Sequence, residues 1–140
     1  MTDHDTREDT GTQIRDDSAR AFAEGLRRFG RDADAVAFAG LFAAGAVTRR
    51  LDARGDRRGE VEQFWREYRE QFTDVERTFD NAVEGGDEVA LEWTSEATLQ
   101  NGRPLRYRGV TALGFDGDRI SWLRTYYDSA VFAAPAADTG

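Results

Sequence analysis

The sequence predicts an α+β fold, with helices in the first half of the chain and an antiparallel sheet in the second. Two observations lead to this class. Apolar residues recur at helical spacing as far as Phe72 and at every second position beyond it. The dipeptides Asn101-Gly102 and Asp116-Gly117 are strong hairpin signals, and they divide the second half into strands. Because the helical and strand patterns are segregated along the chain, the α+β class is expected.

Three helices and one short strand are expected in the first half. The first helix spans residues 17–30, with Asp17 or Ser18 as its cap. The second spans residues 34–45, and a short strand at 46–51 follows it before a polar loop. The third helix has the clearest pattern, because its apolar residues fall at i, i+3, i+4, i+7 and i+11. These residues are Val61, Phe64, Trp65, Tyr68 and Phe72.

Four strands are expected in the second half of the chain. The first of them carries three apolar residues that alternation places on one face: Val75, Phe79 and Val83. A Gly-Gly-Asp turn at 85–87 joins it to a strand at 88–99. Two more strands follow at 105–115 and 119–128, which completes an antiparallel meander.

We expect one folded domain at residues 18–132, flanked by two tails. Residues 1–17 hold six acidic residues and almost no apolar ones, which is typical of a disordered tail. Residues 133–140 are expected to form a flexible C-terminal tail. The chain has no run of about eighteen apolar residues that would cross a membrane. It also has no apolar segment near its start that would act as a secretory signal, so we expect a soluble cytoplasmic protein.

The composition excludes several kinds of chemistry. The chain has no cysteine and one histidine, His4 in the acidic tail, and all 19 of its basic residues are arginine. Thiolate nucleophiles, Ser-His systems and lysine Schiff bases are therefore not expected, and no metal or cofactor is predicted. Proton transfer would fall to aspartate, glutamate or tyrosine. The net charge of -8 argues against nucleic acid and anionic membranes as partners.

Four stretches of the sequence carry a resemblance to a known family: LFAAGAV at 41–47, EVEQFWREYREQF at 60–72, GGDEVALEWTSEAT at 85–98 and RGVTALGFDGDRISWLRTYYD at 108–128. They resemble the nuclear-transport-factor-2-like superfamily and, within it, the SnoaL-like group of polyketide-cyclase-related proteins. The likeness covers residues 18–132. It implies a cone-shaped fold, in which a strongly curved, mainly antiparallel sheet wraps three N-terminal helices around an internal pocket.

The resemblance leaves two functions open, because this fold hosts enzymes as well as non-catalytic binders. The first is a cofactor-independent cyclase or isomerase that uses a carboxylate as acid and base on an apolar, oxygenated small molecule. The second is a non-catalytic ligand-binding or accessory protein. A structural dimerisation module is a third alternative, and its pocket would be filled with side chains. The implied partners are a small apolar or aromatic molecule and a second copy of the chain, paired through the outward face of the sheet.

Asp128 is the candidate catalytic acid and base. SnoaL-like cyclases use an aspartate at the matching place, and in a strand Arg124, Tyr126 and Asp128 share one face, which this hypothesis places inside the cone. Apolar walls would then raise the pKa of the carboxyl. Alternatively, Asp128 forms a cap or pairs with an arginine at the end of the sheet. Arg124 either binds an anionic oxygen of a ligand or pairs with Glu92 or Glu96 on a neighbouring strand.

Five aromatic residues are candidates for the ligand-binding walls of the pocket: Trp65, Tyr68, Trp93, Tyr107 and Trp122. The alternative for these side chains is ordinary core packing. The superfamily often places a second acid on the short strand after the second helix, but here Arg50 stands in its place and Asp52 is displaced by two positions. Chemistry of the ketosteroid isomerase kind, which relies on that acid, is therefore not favoured.

Overall fold

The computed structural model describes residues 14–50 and 56–132. Its helices are α1 (Asp17–Asp32), α2 (Ala35–Ala39) and α3 (Val61–Arg69). Its strands are β1 (Phe42–Arg50), β2 (Arg57–Arg58), β3 (Phe72–Gly85), β4 (Glu88–Leu99), β5 (Pro104–Asp116) and β6 (Arg119–Tyr127), and a short 3-10 helix (Ser129–Phe132) follows them. Helices in the first half and a sheet in the second confirm the predicted α+β class.

The six strands form one mixed sheet in the order β2-β1-β6-β5-β4-β3. Strands β3 to β6 form an antiparallel meander, as the hairpin turns predict. Strand β1 runs parallel to β6, with Arg50 opposite Thr125. The short strand of the first half therefore pairs with the last strand of the chain. The helices pack against one face of this sheet, which we call the inner face, and the opposite side is the outer face.

Two carboxylates hold the N-terminal end of α1. The Asp16 carboxylate accepts a hydrogen bond of 2.7 Å from the backbone N–H of Ala19, so the cap lies one residue before the first expected position. The Glu84 carboxylate, at the end of β3, accepts from the backbone N–H groups of Arg15 and Asp16 at 2.9 Å each. Ile14 is 2% exposed and belongs to the core. The folded domain therefore starts earlier than the expected residue 18.

Two helices end earlier than their apolar patterns predict. Helix α2 ends at Ala39 and not at Gly45, because the chain from Phe42 onwards pairs with β6 as strand β1. Helix α3 ends at Arg69, and Phe72, the last apolar residue of the helical pattern, begins β3. A buried aromatic residue at such a junction fits helical and strand periodicity equally well, so pairing within the sheet decides its state.

A β-bulge in β3 changes which residues face the core. The pairing of β3 with β4 shifts register between Phe79 and Asn81. Val75 and Phe79 are buried, whereas Val83 is 59% exposed. The expectation that Val75, Phe79 and Val83 share one face is therefore wrong, because the inserted residue reverses the alternation beyond it.

Aromatic side chains from the helices and the sheet form one continuous core. The ring of Phe38 lies 5.1 Å from that of Phe29 and 5.1 Å from that of Trp65. On the sheet, the rings of Trp93 and Tyr107 lie 5.6 Å apart in an edge-on arrangement. Edge-on and stacked pairs of this kind add to the stabilisation from burial. The inner face of the sheet is therefore covered mainly by aromatic rings.

The two expected tails lie largely outside the described residues, which exclude 1–13, 51–55 and 133–140. No helix within the described part of the chain is long and apolar enough to cross a membrane.

Candidate functional site

Among the described residues, two small cavities lie between the helices and the inner face. The first, which we call the inner cavity, is lined by Arg50, Phe64, Trp65, Tyr68, Arg77, Trp93, Thr125 and Tyr127. The second lies between α1, the end of α3 and β3, and it also touches Tyr68 and Arg77. Each cavity has a volume of about 10 Å³, which is room for a single water molecule. Side chains therefore fill most of the interior, and Tyr68 and Arg77 form the wall that both cavities share.

Arg77 is the charged residue at the centre of this site. It lies on β3 between Val75 and Phe79 and is 7% exposed. Its guanidinium donates a hydrogen bond to the Tyr68 hydroxyl, and its central carbon lies 4.0 Å from the centre of the Trp93 ring. No carboxylate in the described part of the chain forms an ion pair with it. Because a buried charge is unfavourable without compensation, the aromatic faces and the phenol oxygen are what stabilise it here.

Two tyrosine hydroxyls extend the contact made by Arg77. The hydroxyls of Tyr68 and Tyr107 are hydrogen-bonded to each other, and the Tyr107 hydroxyl also interacts with the side chain of Ser95. Burial, and then the neighbouring Tyr68, raise the pKa of Tyr107 well above its ordinary value. Tyr107 is therefore a neutral hydroxyl at physiological pH, with a proton to donate as well as lone pairs to accept.

Two residues of β5 determine the position of the Trp93 side chain. Its Nε1–H donates a hydrogen bond of 2.9 Å to Thr111 Oγ1, and the hydroxyls of Thr111 and Thr125 share another of 2.9 Å. Next to this hydrogen bond, a Cβ atom at Gly109 would lie 2.5 Å from the Trp93 ring. Any larger residue at position 109 would therefore clash with the indole ring of Trp93.

Trp65, which lines the inner cavity, carries a buried hydrogen-bond donor that has no partner among the described residues. Its side chain is 3% exposed, and its Nε1–H has no hydrogen-bond partner in the structure as described. Leaving a buried N–H unsatisfied costs about 1–3 kcal/mol. An oxygen atom of a water molecule or a ligand in the inner cavity would satisfy this group.

The 3-10 helix Ser129–Phe132, which we call the C-terminal cover, lies over the aromatic cluster of the inner face. The ring of Phe132 is 4.9 Å from that of Tyr107 and 5.7 Å from that of Tyr127. Arg103 donates to two backbone oxygens of the cover, at 2.7 and 3.3 Å. One aromatic side chain and one arginine therefore hold the cover against the interior.

Four of the five aromatic residues expected in the pocket wall lie on the inner face and are buried: Trp65, Tyr68, Trp93 and Tyr107. Trp122 lies on the outer face, where the guanidinium carbon of Arg124 is 4.3 Å from the centre of its ring. The expected place of Trp122 in the pocket wall is therefore wrong. Within the described residues Arg124 pairs with neither Glu92 nor Glu96, and Glu96 lies 3.6 Å from Arg106 instead.

The three candidate catalytic residues lie away from the interior. Arg124 and Tyr126 alternate with the buried Thr125 along β6, so they point to the outer face, and Tyr126 is 38% exposed. Asp128 is also exposed, and its carboxylate accepts a hydrogen bond of 3.1 Å from the backbone N–H of Ala130 in the C-terminal cover. The expectation that these three side chains face the interior is wrong. Capping, which was the alternative for Asp128, is the contact that its carboxylate makes.

Sequence reasoning missed Arg77, Thr125 and Tyr127 as residues of the interior. A signal for Arg77 was present, because it falls midway between Val75 and Phe79, two residues already expected on one face. Arginine is seldom buried without a partner, so the sequence alone did not predict that the Arg77 side chain lies in the core.

Arg50, which stands where the resemblance places an acid, also lines the inner cavity. Its guanidinium carbon lies 5.2 Å from the centre of the Phe64 ring. Asp52 lies outside the described residues. Within the described ranges no aspartate or glutamate lines the inner cavity, and no group of three histidine, cysteine, aspartate or glutamate residues could hold a metal ion.

Comparison with solved structures places this fold in a known class. The chain matches an NTF2-like protein from Anabaena variabilis with a TM-score of 0.74 and 18% identity, over 92% of this chain and 95% of that one. It matches a protein with a ketosteroid isomerase-like fold from Catenulispora acidiphila, in complex with trimethylamine, with a TM-score of 0.67 and 20% identity, over 76% and 85% of the two chains. An LEH-like epoxide hydrolase from M. tuberculosis matches with a TM-score of 0.64 and 16% identity, over 81% and 84%. At these identities the likeness shows the fold alone, and that fold is NTF2-like.

The family within this class follows from the sequence itself. Residues 19–123 match the family model of the SnoaL-like domain. Because the match covers most of the chain, the chain belongs to the SnoaL-like family, which confirms the resemblance. No curated protein sequence matches the chain.

Proposed function

We propose that the chain binds a small apolar or aromatic molecule in its interior, without using Asp128 as a catalytic acid or base. The observation that carries this proposal is an aromatic inner cavity whose walls include the charged Arg77 and Trp65, a residue with an unpaired Nε1–H. Ligand sites are mostly apolar, with a few polar groups that fix orientation. An interior that served only for packing would have its buried polar groups paired.

The filled interior is what the third alternative, a structural dimerisation module, predicts, so binding of such a molecule requires the site to open. Ligand pockets commonly measure about 300–1,000 Å³, whereas the inner cavity measures about 10 Å³. The C-terminal cover is the element that we propose moves, because it is a single turn held by Arg103 and by the ring contacts of Phe132. Its displacement would uncover Tyr107 and Tyr127 beside the inner cavity.

Catalysis is the second candidate, with cyclisation or isomerisation of an oxygenated substrate as the reaction. Tyr68 favours it, because its hydroxyl receives a hydrogen bond from Arg77, and a fixed cation stabilises negative charge that develops on a substrate. Should a substrate be found, we expect Tyr68→Phe to lower turnover and Asp128→Asn to leave it unchanged. The opposite pattern would restore Asp128 as the acid and base.

We also propose that the protein is a cytoplasmic homodimer, paired through the outer face of the sheet. Val83, Ala90 and Ala112 lie directly opposite one another on β3, β4 and β5, and Val110 lies opposite the exposed Tyr126. An apolar row across an open sheet face is typical of an interaction surface. We expect sedimentation to give twice the chain mass of 15.7 kDa at micromolar concentration and Ala112→Arg to shift the protein towards monomer. A monomeric unaltered chain would contradict the dimer.

The three tryptophans allow a test of interior binding that contains its own control. Trp65 and Trp93 are buried inside, whereas Trp122 lies on the outer face. Each indole N–H gives one signal in a ¹⁵N–¹H spectrum, and tryptophan-to-phenylalanine variants assign the signals. We expect aromatic fragments to shift the signals of Trp65 and Trp93 and to leave that of Trp122 in place.

Two results would contradict interior binding. One is a set of shifts confined to Trp122, which would show a site on the surface. The other is the absence of interior shifts with neutral, anionic and cationic aromatic fragments, both in the unaltered chain and in Phe132→Ala, in which the cover loses its main side-chain contact.

A further inference from the structure

We propose that the ligand of the inner cavity carries a carboxylate, which binds to Arg77, on an apolar or aromatic body. This inference rests on the proposed function and names the class of molecule that the site takes. Charge, hydrogen-bonding capacity and the position of Arg77 each support it.

The charge of the interior is opposite to that of the chain. The whole chain has 27 acidic residues and a formal net charge of -8. Four arginines nevertheless line the two cavities, and no acidic residue of the described ranges does so. They are Arg27, Arg50, Arg69 and Arg77. Arg77 is buried, whereas the other three are half-buried. Because charges interact more strongly in a poorly polarisable interior than at the surface, Arg77 favours an anion over a neutral or cationic molecule.

The polar groups carried by the residues that line the inner cavity are mainly donors. The Nε1–H of Trp65 has no acceptor among the described residues. The guanidinium of Arg77 has several N–H donors, and the hydroxyl of Tyr68 accepts from it. The hydroxyl of Thr125 is already bonded to that of Thr111. A carboxylate offers two acceptor oxygens and no donor, so it complements this set, and its bonds to a guanidinium are charge-assisted.

The position of Arg77 argues against a cationic ligand. An aromatic cage binds a quaternary ammonium group over the face of a tryptophan. In this interior the guanidinium of Arg77 already lies 4.0 Å from the centre of the Trp93 ring, where a second cation would be repelled. A carboxylate is favoured over a phosphate because the surrounding walls, including Phe64 and Trp65, are apolar, and a single charge loses less hydration energy than a double one.

Three probes of one size test the inference: benzoate, benzamide and benzamidinium, which share a benzene ring and a planar head group and differ in charge. Titration of each probe is followed by the indole N–H signals of Trp65, Trp93 and Trp122. We expect benzoate to shift the two interior signals with an affinity at least tenfold above that of benzamide. We expect no interior shift with the cation.

Substitution of the arginine then assigns the selectivity to one residue. Arg77→Met removes the charge while it keeps an unbranched side chain, and we expect it to lower benzoate affinity at least tenfold, to the level of benzamide. Arg124→Met is the matched control, because Arg124 stacks on Trp122 at 4.3 Å on the outer face. It should leave the affinities for benzoate and benzamide unchanged.

Each outcome bears on one claim or on both. Equal affinities for benzoate and benzamide, tighter binding of the cation, or unchanged benzoate affinity in Arg77→Met would overturn the anion inference and leave interior binding in place. No interior shift with any probe, in the unaltered chain and in Phe132→Ala, would overturn both. Should Arg77→Met fail to fold, the ratio of benzoate to benzamide affinity in the unaltered chain decides the question.

Discussion

The guanidinium carbon of Arg77 lies 4.0 Å from the centre of the Trp93 ring, inside the fold. The same two residue types meet on the outer face, where Arg124 stacks on Trp122 at 4.3 Å. Arg77 is buried and Arg124 is exposed, so only the inner pair requires a charge to give up its hydration. The inner pair therefore carries a desolvation cost that the outer pair avoids.

Arg77→Met should leave the free energy of unfolding unchanged or raise it, although the variant loses the hydrogen bond to Tyr68. Replacement of a buried ion pair by apolar side chains of similar volume is often neutral or stabilising, by about 1–4 kcal/mol, and Arg77 has no compensating carboxylate among the described residues. Urea unfolding followed by tryptophan fluorescence measures the difference, with Arg124→Met as the control for the loss of a stacking contact. A loss above about 1 kcal/mol would instead show that Arg77 stabilises the fold.

Thr111→Val should lower the free energy of unfolding by about 1–3 kcal/mol, because the Nε1–H of Trp93 and the hydroxyl of Thr125 lose their common buried partner. Thr94→Val is the matched control. The Thr94 hydroxyl donates to the Asp80 carboxylate at 2.7 Å in an exposed position, so its loss should change stability by less than about 0.5 kcal/mol. Similar effects of the two substitutions would contradict the role of the Trp93 network.

The protein should lose stability at alkaline pH through Tyr107. Burial raises the pKa of Tyr107 in the folded state, so the unfolded chain releases this proton first, near its ordinary pKa of about 10. The stabilising contribution is complete below that pH. It falls by about 1.4 kcal/mol for each further pH unit, until the pH reaches the folded-state pKa.

Tyr107→Phe should remove this part of the pH dependence, as measured by urea unfolding between about pH 8 and 11. Tyr126→Phe is the control, since Tyr126 is an exposed residue of the outer face. An unaltered alkaline slope in Tyr107→Phe would show that another group is responsible.

Arg103→Ala should speed ligand entry, because the C-terminal cover loses the two hydrogen bonds that its backbone oxygens receive. We expect the association rate of benzoate, followed by stopped-flow tryptophan fluorescence, to rise severalfold. The matched control is Arg106→Ala, which removes an exposed arginine that lies beside Glu96 on the outer face. Equal association rates in the two variants would show that the cover does not limit entry.

The features that could be predicted from the sequence are local. Helix α3 carries its apolar residues on one face whatever lies opposite, so the burial of Trp65 and Tyr68 follows from spacing alone. The hairpin turn at Asn101-Gly102 requires a positive φ, which Gly102 adopts at 90°. These residues set the order of the elements and much of the aromatic wall.

Local pattern could not predict which residues of β6 point to the inner face of the sheet and which to the outer face. Both alternating sets along the strand contain aromatic residues, with Trp122 and Tyr126 in one and Tyr127 in the other. The structure selects the second set for the interior, where Thr125 bonds to Thr111 of the neighbouring strand. That choice depends on a partner strand, and the bulge after Phe79 depends in the same way on pairing with β4.

The parallel pairing of β1 with β6 has a consequence for how the chain is made. Thr48 lies opposite Leu123, so the principal partner of β1 leaves the ribosome only after strands β2 to β5 have done so. Until then the edge of β1 remains open to any other strand, including one from a neighbouring nascent chain. Because β6 also occupies the middle of the sheet order, a chain that stops before it lacks the strand that joins its two halves. Assembly of the sheet is therefore completed only when β6, the last of the described strands in chain order, has been synthesised.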